Sequence, residues 1–408
     1  MNLLFDFITT RYKTGAGEYV RTVFYNLLDE LKKSSPKNIK IFALYDSSIG
    51  IAYDELTEKK LLKQNIGIEY IDLHKKNICD IIKTYQINRF FIGCAQYLGI
   101  YPDIDKISCE TICVIHDLVD EETYQEHLDI YCEILNPANH LKEKKHSLLG
   151  CLQYKKNTLT FLQFICTLRK RYWKQKSRTQ FICSLNKNNK NFHLITVSNF
   201  SRKSISFNLK MDEKSIITLY PPNRRFSKTS SISKEIKETF QNRKIYLFLN
   251  ANRDLKNPHK TLSAFERFAE TNQDSYLLTV NGPPKKFRNH ITIPFLNDSD
   301  LEYALEHCYA LIFPSFFEGF GYPPIEAMRF KKPILASYTT SLPEILGDAP
   351  IYFSPLYATD IYKALLELTN NNYEFYSQKS ASQYSLISKK SETDFKQLLN
   401  YLLEGINE

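Results

Sequence analysis

Glycine is scarce in this 408-residue chain: there are 12, well below the roughly 7% of average usage. A chain so poor in glycine keeps it where the backbone needs it, so each position carries information. The nine cysteines have no CxxC spacing, and the closest pair is Cys109 and Cys113. That argues against a disulfide framework or a cysteine zinc site and indicates reduced, core-filling thiols. Long apolar runs are missing too. The longest, Leu159–Leu168, falls far short of the roughly 18–20 residues that span a bilayer. The opening MNLLFDFITT has no positive n-region and holds Asp6 inside its apolar run, so it reads as a first strand rather than a signal peptide. No short-period repeat and no nucleic-acid motif is present. These absences lead to the expectation of a cytoplasmic protein, with contact at the inner membrane face left open.

Hydrophobic residues make up 43% of the chain and aromatics 13%, which excludes a disordered chain unable to offset its ordering entropy. The length suits two domains rather than one core. The formal net charge is +9, but it is unevenly spread: residues 142–190 hold 13 Lys and Arg against one acid, Glu143. Elsewhere acids outnumber bases, 44 to 41. One segment is basic; the protein is not.

Short, continuous apolar runs recur, as expected of parallel strands covered on both faces. In the first half they are Leu3–Ile8, Ile39–Tyr45, Ile68–Leu73, Phe90–Ile92, Thr111–Ile115 and Leu194–Val197. In the second half they are Ile245–Leu249, Tyr276–Val280, Ile291–Phe295, Ala310–Phe313, Ile334–Ala336 and Ile351–Phe353. Helical stripes lie between, among them Gly17–Lys33 and Thr261–Thr271. Strand, helix, strand, twice over, predicts an α/β protein with two doubly wound Rossmann-like domains. The boundary is expected at Tyr220-Pro221-Pro222-Asn223, where two prolines end a strand. The expected division is residues 1–222, with a basic insertion at about 121–192, then 223–375. A helical segment, 376–408, is free to cross back onto the first domain.

Only two places have glycines two apart. In Thr14-Gly15-Ala16-Gly17 a strand precedes and an amphipathic helix follows, a frame that aims helix N–H groups at an anion. A tight turn with no ligand explains the same residues equally well. The second pair lies in Pro314-Ser315-Phe316-Phe317-Glu318-Gly319-Phe320-Gly321-Tyr322-Pro323-Pro324-Ile325-Glu326, again after a buried strand. Pro323 and Pro324 suit a first helical turn, which places Glu318 in the loop and Glu326 on the helix. Both carboxylates can then face a cleft at the strand's carboxyl end, where open α/β sheets bind ligands.

The stretch PSFFEGFGYPPIEAMRFKKPILASYTTSLPEILGDAPIYFSP resembles the signature region of retaining GT-B glycosyltransferases of glycosyltransferase family four. TGAGEYV is similar to that family's first glycine loop, VIHDL (114–118) to its His-Asp motif, and TVSNFSRKSI (196–205) to the strand and helix before its interdomain linker. NANRDLKNPHKTLSAF (250–265) resembles the first loop of its second domain. The resemblance implies the GT-B fold, with two domains facing across a cleft and a nucleotide-sugar donor on the second. It implies that Glu326 accepts hydrogen bonds from ribose hydroxyls. By the same resemblance, Glu318 and His116 are expected at the transferred sugar, and Arg253 and Lys256 are the candidates to neutralise the diphosphate. The backbone from Gly319 through Phe320 and Gly321 to Tyr322 lies near sugar and phosphates, with Gly15 and Gly17 on the donor side of the first domain. The Arg-to-Lys interval is shorter than the family's usual one, which puts the place of Arg253 in question.

Two Asp-x-Asp pairs, Asp103/Asp105 and Asp298/Asp300, could in principle hold a divalent ion. Capping and turn chemistry account for both, so no required metal and no cofactor is expected beyond the NDP-sugar. Glu121, Glu122 and His127 read as a solvated loop. The resemblance lapses over the basic insertion, where Arg169, Lys170, Arg171, Trp173 and Lys174 follow an apolar stretch. Three readings stand: a membrane or lipid-linked saccharide contact, a solvated helical pair, or nucleic acid. The first is taken, and nucleic acid is set aside for want of a motif.

The expectation is a metal-independent, retaining transferase moving a sugar from an NDP-sugar to a hydroxyl of a saccharide or lipid-linked acceptor, in bacterial surface polysaccharide or lipopolysaccharide assembly. A catalytically silent nucleotide-sugar binder and a GT-B epimerase or phosphorylase are the alternatives.

Overall fold

The computed structural model describes residues 1–11, 14–34, 39–49, 68–74, 76–95, 98, 101–119, 121–122, 158–224, 226 and 231–405, without the side chains of 11, 34, 49, 158–171 and 175. The chain divides into two compact units. The first comprises Met1–Leu118, Trp173–Arg224 and Ser388–Glu408; the second comprises Val119–Tyr172 and Arg225–Ile387.

The first unit carries seven strands: β1 (Asn2–Asp6), β2 (Lys40–Tyr45), β3 (Glu69–Asp72), β4 (Arg89–Ile92), β5 (Glu110–Ile115), β6 (Phe192–Thr196) and β7 (Ile216–Thr218). They lie in the order β3-β2-β1-β4-β5-β6-β7, every neighbouring pair parallel. The second carries β8 (Lys244–Leu249), β9 (Ser275–Val280), β10 (His290–Ile293), β11 (Ala310–Phe313), β12 (Ile334–Ser337) and β13 (Ile351–Phe353). Their order is β10-β9-β8-β11-β12-β13, again parallel throughout. Each sheet grows outward in one direction from its first strand and then in the other. The reversal falls between β1 and β4 in one sheet and between β8 and β11 in the other.

All twelve apolar runs lie on strands. β7 is the strand that the Tyr220-Pro221-Pro222 stretch ends. Consecutive burial along β5 and β8 shows both faces covered, which is why the runs do not alternate. Helix Gly15–Ser34 buries Val20, Val23, Phe24, Leu27 and Leu28. Phe24 packs on Phe5 and Phe7 at 5.0 and 4.9 Å between ring centroids. Each such side chain is worth about 1.5–3 kcal/mol of transfer free energy. Helix Pro258–Ala269 does the same for the second sheet with Leu262, Phe265 and Phe268.

From Trp173 onward the basic segment belongs to the first unit, to its core as well as its surface. Helix Thr158–Asn188 buries Ile182 and Leu185 among the residues under the first sheet. Helix Tyr373–Leu403 ends the chain. Its Asp394 accepts from the Tyr220 N–H at 2.8 Å, and its Ser388 hydroxyl accepts from Asn223 at 2.7 Å. Arg89 reaches the Leu402 carbonyl at 3.2 Å. Asparagines take several left-handed positions that glycine commonly fills: Asn242, Asn250, Asn257 and Asn281 have φ from 51 to 58°.

Candidate active site

In an open parallel sheet the loops leaving two neighbouring strands part company where the strand order reverses, and a crevice opens at the carboxyl ends. In the second sheet that place lies between β8 and β11. The loop after β8 supplies Lys256 and the loop after β11 supplies Glu318, and the two side chains form an ion pair there. Lys256 is 6% exposed, and its ammonium also sits 4.5 Å from the centre of the Phe313 ring. A buried cation with a carboxylate and an aromatic face for partners holds its charge at a fixed point.

The Glu318 loop is braced on two sides. The Phe316 N–H donates to the Leu255 carbonyl at 2.9 Å, tying it to the Lys256 loop. On the other side the Glu318 N–H donates to Thr340 Oγ1 at 3.1 Å, the Ser341 hydroxyl donates to the Glu318 carbonyl at 2.9 Å, and Thr339 reaches the Ser315 carbonyl. Gly321 has φ +96°, and a Cβ there would stand 3.0 Å from Leu342. Gly319, Phe320 and Gly321 are buried and Tyr322 half-buried. Helix Tyr322–Arg329 opens on Pro323 and Pro324 and buries Glu326 in its second turn.

Arg253 behaves differently from Lys256. A short 3-10 turn, Asp254–Lys256, follows it; Arg253 lies at the outer end of that turn and is exposed, without an ion pair to the described residues. The structure brings together Lys256 and Glu318 and leaves Arg253 outside. Lys260, which nothing in the sequence singled out, stands 4.9 Å over the Phe316 ring.

In the first sheet the reversal lies between β1 and β4. Gly15 and Gly17 belong to the first turn of helix Gly15–Ser34 rather than to a loop before it, with a short 3-10 turn, Ile8–Arg11, intervening after β1. Thr14 caps that turn, its hydroxyl accepting from the Gly17 N–H at 3.3 Å. Glu18 pairs with Arg21 at 2.8 Å and Arg224 at 3.0 Å. Gly93, just past β4, is tight: a Cβ there would come within 2.4 Å of Val20. Its carbonyl is 2.9 Å from His116 Nε2. A carbonyl can only accept, so Nε2 carries the proton and Nδ1 is left as an acceptor. The His116 ring meets Tyr19 edge-on at 4.9 Å, and burial pushes its pKa down to about 4. His116 is therefore neutral near pH 7. Beneath, Asp6 at the end of β1 accepts from Ile8 N–H and the Thr9 hydroxyl; burial raises its pKa to about 6.

Several expectations need correction. Asp298 does not cap its helix: Asn297 does, accepting from the Asp300 N–H at 2.9 Å, and both aspartates fall in the first turn. Asp300 accepts from the Ser233 N–H, while Asp103 holds Lys106 at 2.7 Å and Asn77. Glu121 is not solvated; it lies in a helical turn and is buried. Glu122 is half-buried, and His127 lies outside the described residues. In the basic helix Trp173 is 51% exposed, Lys174 is exposed, and Lys176 lies 5.4 Å from the Trp173 ring. The side chains of Arg169, Lys170 and Arg171 lie outside the described residues. Nothing in the sequence marks Thr339, Thr340 and Ser341 as site residues beyond their position between strand β12 and Pro343, within the stretch that carries the resemblance.

Residues 230–385 match the family model of glycosyl transferases group 1. Over 179 residues the chain is 28% identical to the O-antigen chain mannosyltransferase RfbU of Salmonella typhimurium strain LT2, a match covering 40% of this chain and 47% of RfbU. The chain thus aligns with about half the length of that relative. In three dimensions it resembles Anabaena HepE in complex with UDP and glucose, with a TM-score of 0.62 at 13% identity over 99% of this chain and 100% of HepE. It resembles equally WaaG, a glycosyltransferase involved in lipopolysaccharide biosynthesis, with a TM-score of 0.62 at 12% identity over 99% and 100%. The fold is GT-B, with two Rossmann-like parallel sheets of seven and six strands.

Proposed function

We propose that this protein is a retaining, metal-independent glycosyltransferase of family four that moves a sugar from a nucleotide-sugar to a hydroxyl of a saccharide or lipid-linked acceptor in surface polysaccharide or lipopolysaccharide assembly. The observation that carries the reading is the Lys256–Glu318 pair at the carboxyl-end reversal of the second sheet, inside the segment that matches the family model. The O-antigen and lipopolysaccharide enzymes it resembles support the setting, and HepE, which binds UDP, supports a nucleotide-sugar donor.

In this reading the bond from the anomeric carbon to the diphosphate oxygen breaks while the acceptor oxygen bonds the same face. The acceptor's proton leaves with the diphosphate. Negative charge grows on the leaving group, and the buried ammonium of Lys256 is already in place to meet it, with no solvent reorganisation. Glu318 faces the positive charge that grows at the anomeric carbon. Glu326 holds the ribose hydroxyls, and the Gly319–Tyr322 backbone lines the sugar and phosphates. His116 serves as a neutral hydrogen-bonding group. Trp173, Lys174 and Lys176 form a basic aromatic face suited to anionic headgroups.

The test is incubation with UDP-, GDP- and TDP-sugars, with and without a lipid-linked saccharide, reading free NDP and the anomeric configuration of the product by NMR. NDP released only when acceptor is present, with configuration kept, supports the reading. An inverted product removes retention, and donor binding without turnover leaves a silent binder. Glu326→Ala should weaken donor binding about tenfold or more, whereas Glu318→Ala should act on turnover; unchanged kinetics in both would remove the mechanism.

A further inference from the structure

The amino ends of the second sheet's strands, opposite the loops that hold Lys256 and Glu318, surround an open cavity of about 470 Å³. Three cationic side chains line it: Arg243 and Lys244, at the start of β8, and Lys332, just before β12. His307, Tyr309 and Tyr373 complete most of the wall, and Asp274 is its one acid. None of the three cations is in an ion pair with a described residue. Asp274 lies too far from Lys244 to form one, although its charge is felt there.

Two of the three cations are held rather than loose. Lys244 donates to Asn370 at 2.9 Å and lies 4.0 Å from the centre of the Tyr309 ring. The Tyr309 hydroxyl donates to the same Asn370 oxygen at 3.3 Å, and its ring packs on Tyr373 at 4.8 Å. Arg243 uses one amino group on the Thr239 carbonyl at the end of helix Lys234–Phe240, which fixes the guanidinium and leaves its other donors. Favourable placement at helix carboxyl ends explains one cation at a time; it does not explain three converging on one cavity with a single acid. Lys244 loses solvation there and its pKa is lowered, the response of a cation without a matching anion.

We propose that this cavity is a second ligand site, for a small phosphorylated saccharide, separate from the donor site at the other end of the sheet. A guanidinium fork with two ammonium groups suits a phosphate's several oxygens. The volume falls in the range of small-molecule pockets, about 300–1,000 Å³, and the Tyr309 hydroxyl, which donates to Asn370, keeps its acceptor lone pairs for a sugar hydroxyl. The proposal does not depend on the transferase reading.

Calorimetric titration of the full chain at about 0.15 M salt, where exposed charges are largely screened, tests it with glucose 1-phosphate, inorganic phosphate and methyl glucoside as probes. Glucose 1-phosphate should bind more tightly than phosphate, and methyl glucoside not at all. The double variant Arg243→Gln/Lys332→Gln should weaken binding at least tenfold, while Lys256→Ala at the opposite end, titrated well below its lowered Tm where it is folded, should leave it unchanged. Loss of binding in folded Lys256→Ala, with the double variant still binding, would assign the phosphosugar to the donor site and overturn the proposal. So would equal affinity for phosphate and phosphosugar, or binding only to phosphatidylglycerol vesicles. Should the double variant melt early, Lys332→Gln alone carries the same comparison.

Discussion

The backbone of Glu318 is gripped by two consecutive residues 22 and 23 positions further along the chain: Thr340 accepts from its N–H at 3.1 Å and Ser341 donates to its carbonyl at 2.9 Å. Neither hydroxyl belongs to a group proposed to react. Together they decide where the Glu318 carboxylate stands relative to Lys256.

Thr340→Val keeps the shape of the side chain and deletes the hydroxyl. A neutral hydrogen bond is worth about 1 kcal/mol, roughly a fivefold change in rate, so kcat should fall by about fivefold with KM nearly constant. Thr340→Ser should restore it. Steady-state kinetics check this; a change confined to KM would place Thr340 in substrate binding instead.

Lys256→Ala removes a buried partner and leaves Glu318 with its charge in a shielded place, a change that costs about 3–5 kcal/mol for buried pairs. Both Tm and kcat should drop, the latter by at least about a hundredfold. Arg253→Ala, at an exposed position, should change Tm by less than a degree and kcat by less than about tenfold. Melting curves and turnover on the two variants separate the roles that the sequence assigned jointly.

Acid should weaken the fold in a defined window. His116 and His290 both have pKa values lowered to about 4 by burial, with Lys285 and Lys286 adding to the effect at His290. Below about 6.5 the unfolded chain binds protons that these residues refuse when folded, so stability falls as pH drops from about 6.5 to about 4 and then levels. Asp6, raised to about 6, works the other way, since its folded form gains a proton from about pH 6 downward. With two histidines against one aspartate the net slope is destabilising. His116→Gln keeps a donor for the Gly93 carbonyl without titrating; its fall in Tm between pH 6.5 and 4 should be visibly shallower. Identical curves for variant and parent would remove His116 from the account.

Gly93→Ala places a Cβ 2.4 Å from Val20 Cγ2, and Val20 is buried in the helix that covers β1 and β4. Overpacking of this kind costs about 1–3 kcal/mol. The shift should appear as a lower denaturation midpoint at unchanged m-value, and Val20→Ala should partly relieve it.

Much of this molecule could be read from its residues. The twelve apolar runs lie on strands because parallel strands are buried on both faces and so keep an unbroken apolar signal. β7 escaped that list: it is three residues long, and only Ile216 of Ile216, Ile217 and Thr218 is buried, as suits an edge. Pro323 and Pro324 marked a helix start correctly, because a missing N–H costs nothing there. The Thr340 and Ser341 contacts were not legible, since a hydroxyl bonding to backbone more than twenty residues away leaves no periodicity. Arg253 and Lys256 look equivalent in sequence; the 3-10 turn between them sends one out and the other in. The thirteen cations of the basic segment were plain; seven of them fall on helix Thr158–Asn188, whose Ile182 and Leu185 lie in the core, a burial hidden by an irregular pattern.

The left-handed asparagines at the carboxyl ends of β8 and β9, Asn250 and Asn281, and Asn257 before helix Pro258–Ala269, bear on how the site is held. A glycine at each would have more unfolded conformations to give up, though none of the strain that a Cβ meets at positive φ. By using asparagine the chain lowers the entropy lost when these loops order. Asn257, next to Lys256, also donates to the Pro355 carbonyl at 2.8 Å, a tie that glycine could not make.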